Sequence, residues 1–284
     1  VAGRIVFAAA FCIYALSASP AMGWLDSPEF VAASASLGVA HSPGHPLPAL
    51  LGRLAGYLPV GDLTFRINAM SCLLAALAAT ALFAAGRSVL ARVAPSMEDR
   101  GRDLLAGAAA LAFAFGWASW YQAVRAEVYA LQSLLVVGTL AALIAYDQRR
   151  RGRWLVVAGL LGGLGLANHH LIALTVLIPG ALFVLARRTD ERPPIRIVAA
   201  CAVAGTIGLA ALLYLPVRSI DHPEVNWGAP HTAERFAWTV SAKAFQKSVD
   251  SAQQQDEPDA GTPIAMALVE NVSFPLFLLA MLGA

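Results

Sequence analysis

Long apolar runs alternate with short connectors that hold most of the charge, the pattern of membrane-spanning helices rather than of half-buried surface helices. Eight runs predict eight spans, at 4–22, 66–86, 104–120, 127–146, 154–168, 170–186, 197–215 and 263–284. Several are at the short limit of about 17 residues. Two of them meet at Asn168-His169-His170, which predicts a hairpin with almost no loop. Between the first two runs the pattern changes. The stretch from Trp24 to Pro46 is polar and chemically loaded, and Ser27-Pro28-Glu29 opens a helix with Ser27 as N-cap, Pro28 at the first helical position and Asp26 just outside. The structural alternative makes Asp26 the cap and Glu29 the closing residue of a capping box. Leu47, Leu50, Leu51, Leu54 and Leu58 then recur at helical spacing, predicting an amphipathic helix lying on the bilayer. The joint between these two interfacial helices, His41-Ser42-Pro43-Gly44-His45-Pro46, is a fixed turn by its prolines and glycine.

Composition turns this pattern into a class. Hydrophobic residues make up 58% of the chain and charged residues 13%, against about 25% charged in soluble domains, and the mean hydropathy is +0.63. The fold class is therefore an all-α polytopic membrane protein. The net charge of +2 is spread over connectors and implies no nucleic-acid partner. Cys12, Cys72 and Cys201 all lie in apolar runs, where they act as small hydrophobes, so neither a disulfide framework nor a thiolate metal site is expected.

Charge also orients the chain. The connectors at 87–103, 147–153 and 187–196 hold twelve of the twenty Lys and Arg residues, which puts them, with Arg4 and the N-terminus, on the cytoplasmic side. The first loop (23–65), the His169 hairpin and the loop at 216–262 then face outward, together with all six histidines. Arg4, its apolar run and Ser19-Pro20-Ala21 also fit a signal peptide, an alternative that leaves the remaining topology unchanged. The chain divides into a transmembrane module (1–215), an outer loop with an amphipathic segment and a polar linker (216–262) and a last span (263–284). Because the chain stops inside that span, it reads as a fragment of a longer protein.

Candidate chemistry gathers on the outward side. Asp26 and Glu29 stand at the membrane interface, where a cap explains the residue types but not their location. At 117–129, WASWYQAVRAEVY reads either as an aromatic belt with a snorkelling arginine or as Arg125 meeting an anionic head group with Glu127 orienting it. His169 and His170 are interfacial imidazoles or contacts to a substrate or metal. Arg218 is a head-group snorkel or a phosphate ligand. Trp227 and Trp238 either anchor the outer loop at the interface or line an acceptor groove. Walker, GxSxG, HExxH and dinucleotide motifs are missing, so an ATP-driven pump is unsupported. A secondary transporter or lipid flippase using the outward carboxylates and histidines is the alternative to an enzyme, weakened by the lack of an obvious inverted repeat.

Taken together, DSPEFVAASASLGVAHSPGHPL, YQAVRAEVYAL, GLGLANHH, YLPVRS and NWGAPHTAERFAW resemble the protein O-mannosyltransferase-like membrane proteins of the GT-C glycosyltransferase superfamily, over about residues 5 to 240. The resemblance implies a seven-span GT-C module in a bacterial inner or plasma membrane. It implies an inverting transfer of a sugar, mannose among the candidates, from a polyprenyl- or dolichyl-phosphate donor to a protein Ser or Thr or a glycan. The family's acidic position in the first outer loop falls on Asp26, with Glu29 as its competitor. Arg125 and Arg218 would neutralise the departing phosphate, with Glu127 beside them. His41, His45, His169 and His170 would shape the donor pocket or hold a divalent metal, a choice the sequence leaves open. The large C-terminal outer domain often found in such enzymes is missing from this chain, which leaves the acceptor open.

Overall fold

A computed structural model describes residues 1–21, 23–188 and 191–245. The run at 263–284 and the polar tract before it lie outside the described residues. The chain is helical from α1 (Ala2–Ser17) through α2 (Ser27–Ser36), α3 (Pro46–Ala55), α4 (Leu63–Val93), α5 (Asp99–Phe115), α6 (Trp117–Ala123), α7 (Tyr129–Arg149), α8 (Arg153–Leu185), α9 (Ile195–Leu209), α10 (Tyr214–Ile220) and α11 (Ala233–Val240). Extended pairing among the described residues is limited to one isolated bridge, Val39 with Asn226.

Four helical runs are long and apolar enough to cross a membrane: α4, α7, α8 and the run Ile195–Ile220. A fifth results if α5 and α6, which meet at a 65° bend, count as one. The bend follows from Gly116, whose extended backbone ends α5 and starts α6, so the expected span at 104–120 is a broken one. The expected span at 197–215 also breaks, through a 3₁₀ turn at Ala210–Leu213 into α10.

Helix α8 is not one rod. His169 interrupts it with φ −153° and ψ 94°, and a methyl on Gly162 would sit 2.5 Å from the Leu177 side chain. In a straight helix, residues fifteen apart are separated by about 22 Å. The two halves therefore lie side by side, as the sequence around Asn168-His169-His170 suggests. Small residues make the approach possible: Gly165 faces Ala173. Helix α9 then packs along the first half, Gly159 against Cys201 and Gly163 against Gly205.

The core is rich in alanine because membrane helices gain by close backbone approach rather than by hiding large side chains from water. Val6, Ala10 and Tyr14 of α1 pack against Cys72, Ala76 and Phe83 of α4 and against Ala106, Ala110 and Ala114 of α5. Tyr14 completes the seam by donating its hydroxyl to Ala114 O at 2.6 Å.

Charges separate to the two ends. At one, Arg87 binds Asp103 (2.5 Å) and Asp99 (3.0 Å), Arg92 and Arg187 share Asp147, Arg150 faces Glu191 (3.6 Å) and Ser88 donates to Gln148 (2.5 Å). The three basic connectors thus meet, as their common sidedness requires. At the other end lie α2, α3, α6 and the His169 break. Helix α3 turns Pro48, Ala49 and Gly52 inward and leaves Leu50 and Leu54 exposed, the arrangement expected of an interfacial helix. It stops at Ala55, so Leu58 is not part of its stripe.

The packing of α8 on α9 is testable through Gly163. A methyl there would meet Gly205 O at 2.0 Å, backbone that cannot yield cheaply. Gly163→Val should cost about 1–3 kcal/mol, read as a lower Tm of the detergent-solubilised protein, whereas Gly107→Ala, where a methyl reaches only Val6 at 4.0 Å, should leave Tm nearly unchanged.

Candidate active site

The site is built on the start of α2. Asp26 occupies the N-cap position but its side chain makes no capping bond, and Ser27 is not the cap that the sequence suggests. The Ser27 hydroxyl instead donates to Ala126 O at 2.8 Å, tying α2 to the segment between α6 and α7. Glu29 closes no capping box. Its carboxylate reaches forward to His41, accepting from the backbone N–H at 2.6 Å and from ring Nδ1 at 2.9 Å. With Nδ1 so engaged, His41 turns Nε2 towards Asp26 Oδ2, 3.9 Å away.

The turn after His41 is tight. Gly44 donates to His41 O at 2.7 Å and adopts φ +104°, with the Leu215 side chain so near that any added methyl would fall within 2.8 Å of it. This brings His45 beneath His41, ring centroids 5.1 Å apart. His45 is buried and its Nδ1 lies 2.8 Å from Asn168 O. Since a carbonyl only accepts, Nδ1 carries the proton, and Nε2 keeps its lone pair. Asn168 is itself fully buried at the α8 break, donating to Val128 O at 3.1 Å.

His41 and His45 line a cavity of about 490 Å³ with Asp26, Glu127, Tyr129, His169 and His170 in its wall. Asp26 is 54% exposed at its mouth. The electrostatics differ group by group. Burial pushes the His41 imidazole down, but the hydrogen bond and charge of Glu29, with Asp26 and Glu127 beyond, outweigh it and hold His41 above its usual value. Burial, with His41 adding to it, takes His45 down to about 3, so it stays neutral. Burial raises Glu127 to about 7 against the pull of Arg125, and the charge of Asp26 adds to the rise.

Of the residues singled out in the sequence, the cavity thus gathers Asp26, His41, His45, Glu127, His169 and His170, with Glu29 behind His41. The two arginines stand elsewhere. Arg125 is 4% exposed, pairs with Glu127 at 3.3 Å, donates to Trp24 O and Gln122 Oε1 and lies over the Tyr121 ring at 4.1 Å. It braces the wall from behind. Arg218, on α10, donates to Leu37 O at 3.0 Å and Ser36 O at 3.4 Å, and pairs with Asp221. It thereby covers the open carbonyls at the far end of α2, a favourable place for a cation. Phe30, Tyr129 and Asn168 are wall or support residues that the sequence reading did not assign. An amide between two apolar runs was the available signal for Asn168.

Among the described residues, Asp26, Glu29 and His41 each offer an atom within 4.8 Å of the others, so they are the group suited to a cation. Two carboxylates and an imidazole fit a divalent metal, with Asp26 and His41 Nε2 as ligands and Glu29 orienting the ring through Nδ1.

Residues 26–193 match the family model described as the protein O-mannosyl-transferase TMEM260 N-terminal domain. The chain belongs to that family. The match begins at Asp26 and runs past the α8 hairpin, so it includes the residues of the cavity wall up to His170, while Arg218 falls outside it. The protein O-mannosyl-transferase TMEM260 of Mus musculus is 30% identical over 239 residues, covering 81% of this chain and 32% of the mouse protein. The chain therefore spans about a third of the length of that curated relative. No solved structure matches.

Two outcomes test this geometry. Arg218→Ala should unpair the α2 carbonyls at a cost of about 1–2 kcal/mol, lowering Tm, with Arg218→Lys recovering part of it. Glu127, raised in the folded state, binds more protons folded than unfolded between about pH 4.5 and 7. The stability that Glu127 contributes should fall as pH rises through that window, while His45, neutral when folded and charged when unfolded below its ordinary value, contributes the opposite slope there. The thermal stability of the parent relative to Glu127→Gln, followed from about pH 4.5 to 8, should therefore fall as pH rises and level off above about 7.

Proposed function

We propose that the chain is the membrane module of a GT-C glycosyltransferase that moves a sugar, mannose by family, from a polyprenyl- or dolichyl-phosphate to a hydroxyl acceptor such as a protein Ser or Thr. The observation that carries this reading is the half-exposed Asp26 at a cavity mouth, beside a His41 held by Glu29, within an O-mannosyl-transferase family. The lipid-linked donor is supported by the cavity's place at one end of an apolar bundle, where a lipid phosphate and its sugar would lie level with Asp26. Basic residues at the opposite end favour an outward-facing site. Eight spans in all are consistent with the reversal inside α8.

In this mechanism Asp26 accepts the proton of the acceptor hydroxyl as its oxygen attacks the anomeric carbon in line. The bond from that carbon to the phosphate oxygen breaks, and the lipid phosphate leaves with the electron pair, inverting the centre. His41, charged more readily than an ordinary histidine, faces the anion that develops, and His169 and His170 form the rim. Arg125 and Glu127 keep the wall in place. A divalent metal, if held by Asp26 and a neutral His41, would supply the positive charge for the phosphate in place of the imidazolium. A transporter would need its carboxylates along a path at mid-depth, whereas Asp26 and Glu29 stand at one end beside solvent-exposed loops, which favours the transferase.

Transfer of labelled mannose from polyprenyl-phosphate-mannose to protein, in membranes carrying the full-length protein, tests this. Asp26→Asn should reduce transfer by ~100-fold or more at matched expression, and His41→Gln by less. Equal transfer by Asp26→Asn and the parent would remove Asp26 as the base, and no transfer from any lipid-linked sugar would remove the enzyme class.

A further inference from the structure

We propose a second lipid site at the basic end of the bundle, one that holds an acyl chain of an anionic phospholipid with its phosphate at Arg92. A groove of about 540 Å³ runs between α4, α7 and the second half of α8. Its wall is apolar along most of its length, through Val89, Val136, Leu140, Ile144, Val176 and Phe183, with the hydroxyl of Thr175 turned to Ile172 O, and Arg92, Asp147 and Gln148 close one end. Gly180 keeps the floor low, since a methyl there would lie 2.7 Å from Leu143.

The polar end is electrically unbalanced. Arg92 and Arg187 share the carboxylate of Asp147, and Arg187 and Arg150 share that of Glu191 (3.5 and 3.6 Å), which leaves these three arginines and two acids at a formal charge of +1. Arg187 is spent on packing: its side chain is 7% exposed and its guanidinium lies over the rings of Phe183 at 4.7 Å and Tyr146 at 5.8 Å. Arg92 is 56% exposed and is the member that reaches outward. The nearby acids Asp99 and Asp103 are held already by Arg87 and Arg102. An apolar slot ending at an exposed guanidinium, in a cluster that keeps one excess positive charge, matches the build of a phospholipid, tail in the slot and phosphate at the cation. A lipid with a net negative head group matches better than a zwitterionic one, whose ammonium would add a second cation beside Arg92.

Native mass spectrometry of the full-length protein, loaded with phosphatidylglycerol or phosphatidylcholine of identical acyl chains, tests the site. The parent should retain phosphatidylglycerol about fivefold more strongly. Arg92→Gln should abolish that preference, and Leu140→Trp, which fills the slot, should lower retention of both lipids; an unchanged Tm confirms that each variant is folded. Equal retention of the two lipids by the parent, or a preference that survives Arg92→Gln, overturns the proposal. So does retention untouched by Leu140→Trp. Polyprenyl phosphate retained in place of phosphatidylglycerol would assign the groove to a donor-type lipid instead, and a parent that retains neither overturns the proposal.

Discussion

Asn168 is the group on which the arrangement at the histidine-bearing end depends. It is fully buried where α8 breaks, its amide donates to Val128 O, and its carbonyl receives His45 Nδ1. Three elements distant in sequence meet at this one residue: the hairpin, the start of α7 and the joint of the first loop. Next to it, the Gln132 amide reaches both halves of the hairpin, at 3.2 Å from Gly165 O and 3.2 Å from Ala173 N, in the orientation that gives each amide atom a complementary partner. An apolar setting makes unpaired polar groups costly. The free backbone groups at a helix reversal are thus a reason for buried amides to be there, and one of those freed carbonyls, Asn168 O, fixes the His45 imidazole.

The site then inherits rigidity from its supports. Helix α2 is held at its start by Ser27 on Ala126 O and at its end by Arg218 on Ser36 O and Leu37 O. The strand-like bridge of Val39 to Asn226, with Val39 N donating to Val225 O at 2.8 Å and Trp227 N to Val39 O at 3.0 Å, pins the next segment. Glu29 and His41 are left with one geometry, and Asp26 with a half-exposed carboxylate 3.9 Å from His41 Nε2. Arginine is used here for bracing, and the group facing the cavity that takes up a proton more readily than usual is a histidine, held so by its neighbours. Those neighbours are carboxylates on the same loop, which is why the acid pair matters even where only one member meets the cavity.

Much of this was legible in the chain. The apolar runs, the hairpin at Asn168-His169-His170, the short helix α3 with its exposed leucines and the meeting of the basic connectors follow from hydrophobic period, turn residues and the side preference of arginine, all of which act locally or through the bilayer. The roles of Ser27, Glu29 and Arg218 were not legible. Ser27 and Glu29 have the residue types of a cap, and their departure from that role comes from Ala126 and His41, partners 99 and 12 residues away. Arg218 looks like a free cation until α10 is placed against α2.

The sequence by itself determined a helical membrane protein, the position of its polar loop and the residues able to do chemistry there, because a bilayer imposes length and polarity on every span independently of its neighbours. Only the tertiary structure decided which of those residues face one another. It placed His41 between two carboxylates, withdrew Arg125 behind the wall and left Asp26 open, because hydrogen-bond partners and burial are set by contacts between helices that no local pattern encodes.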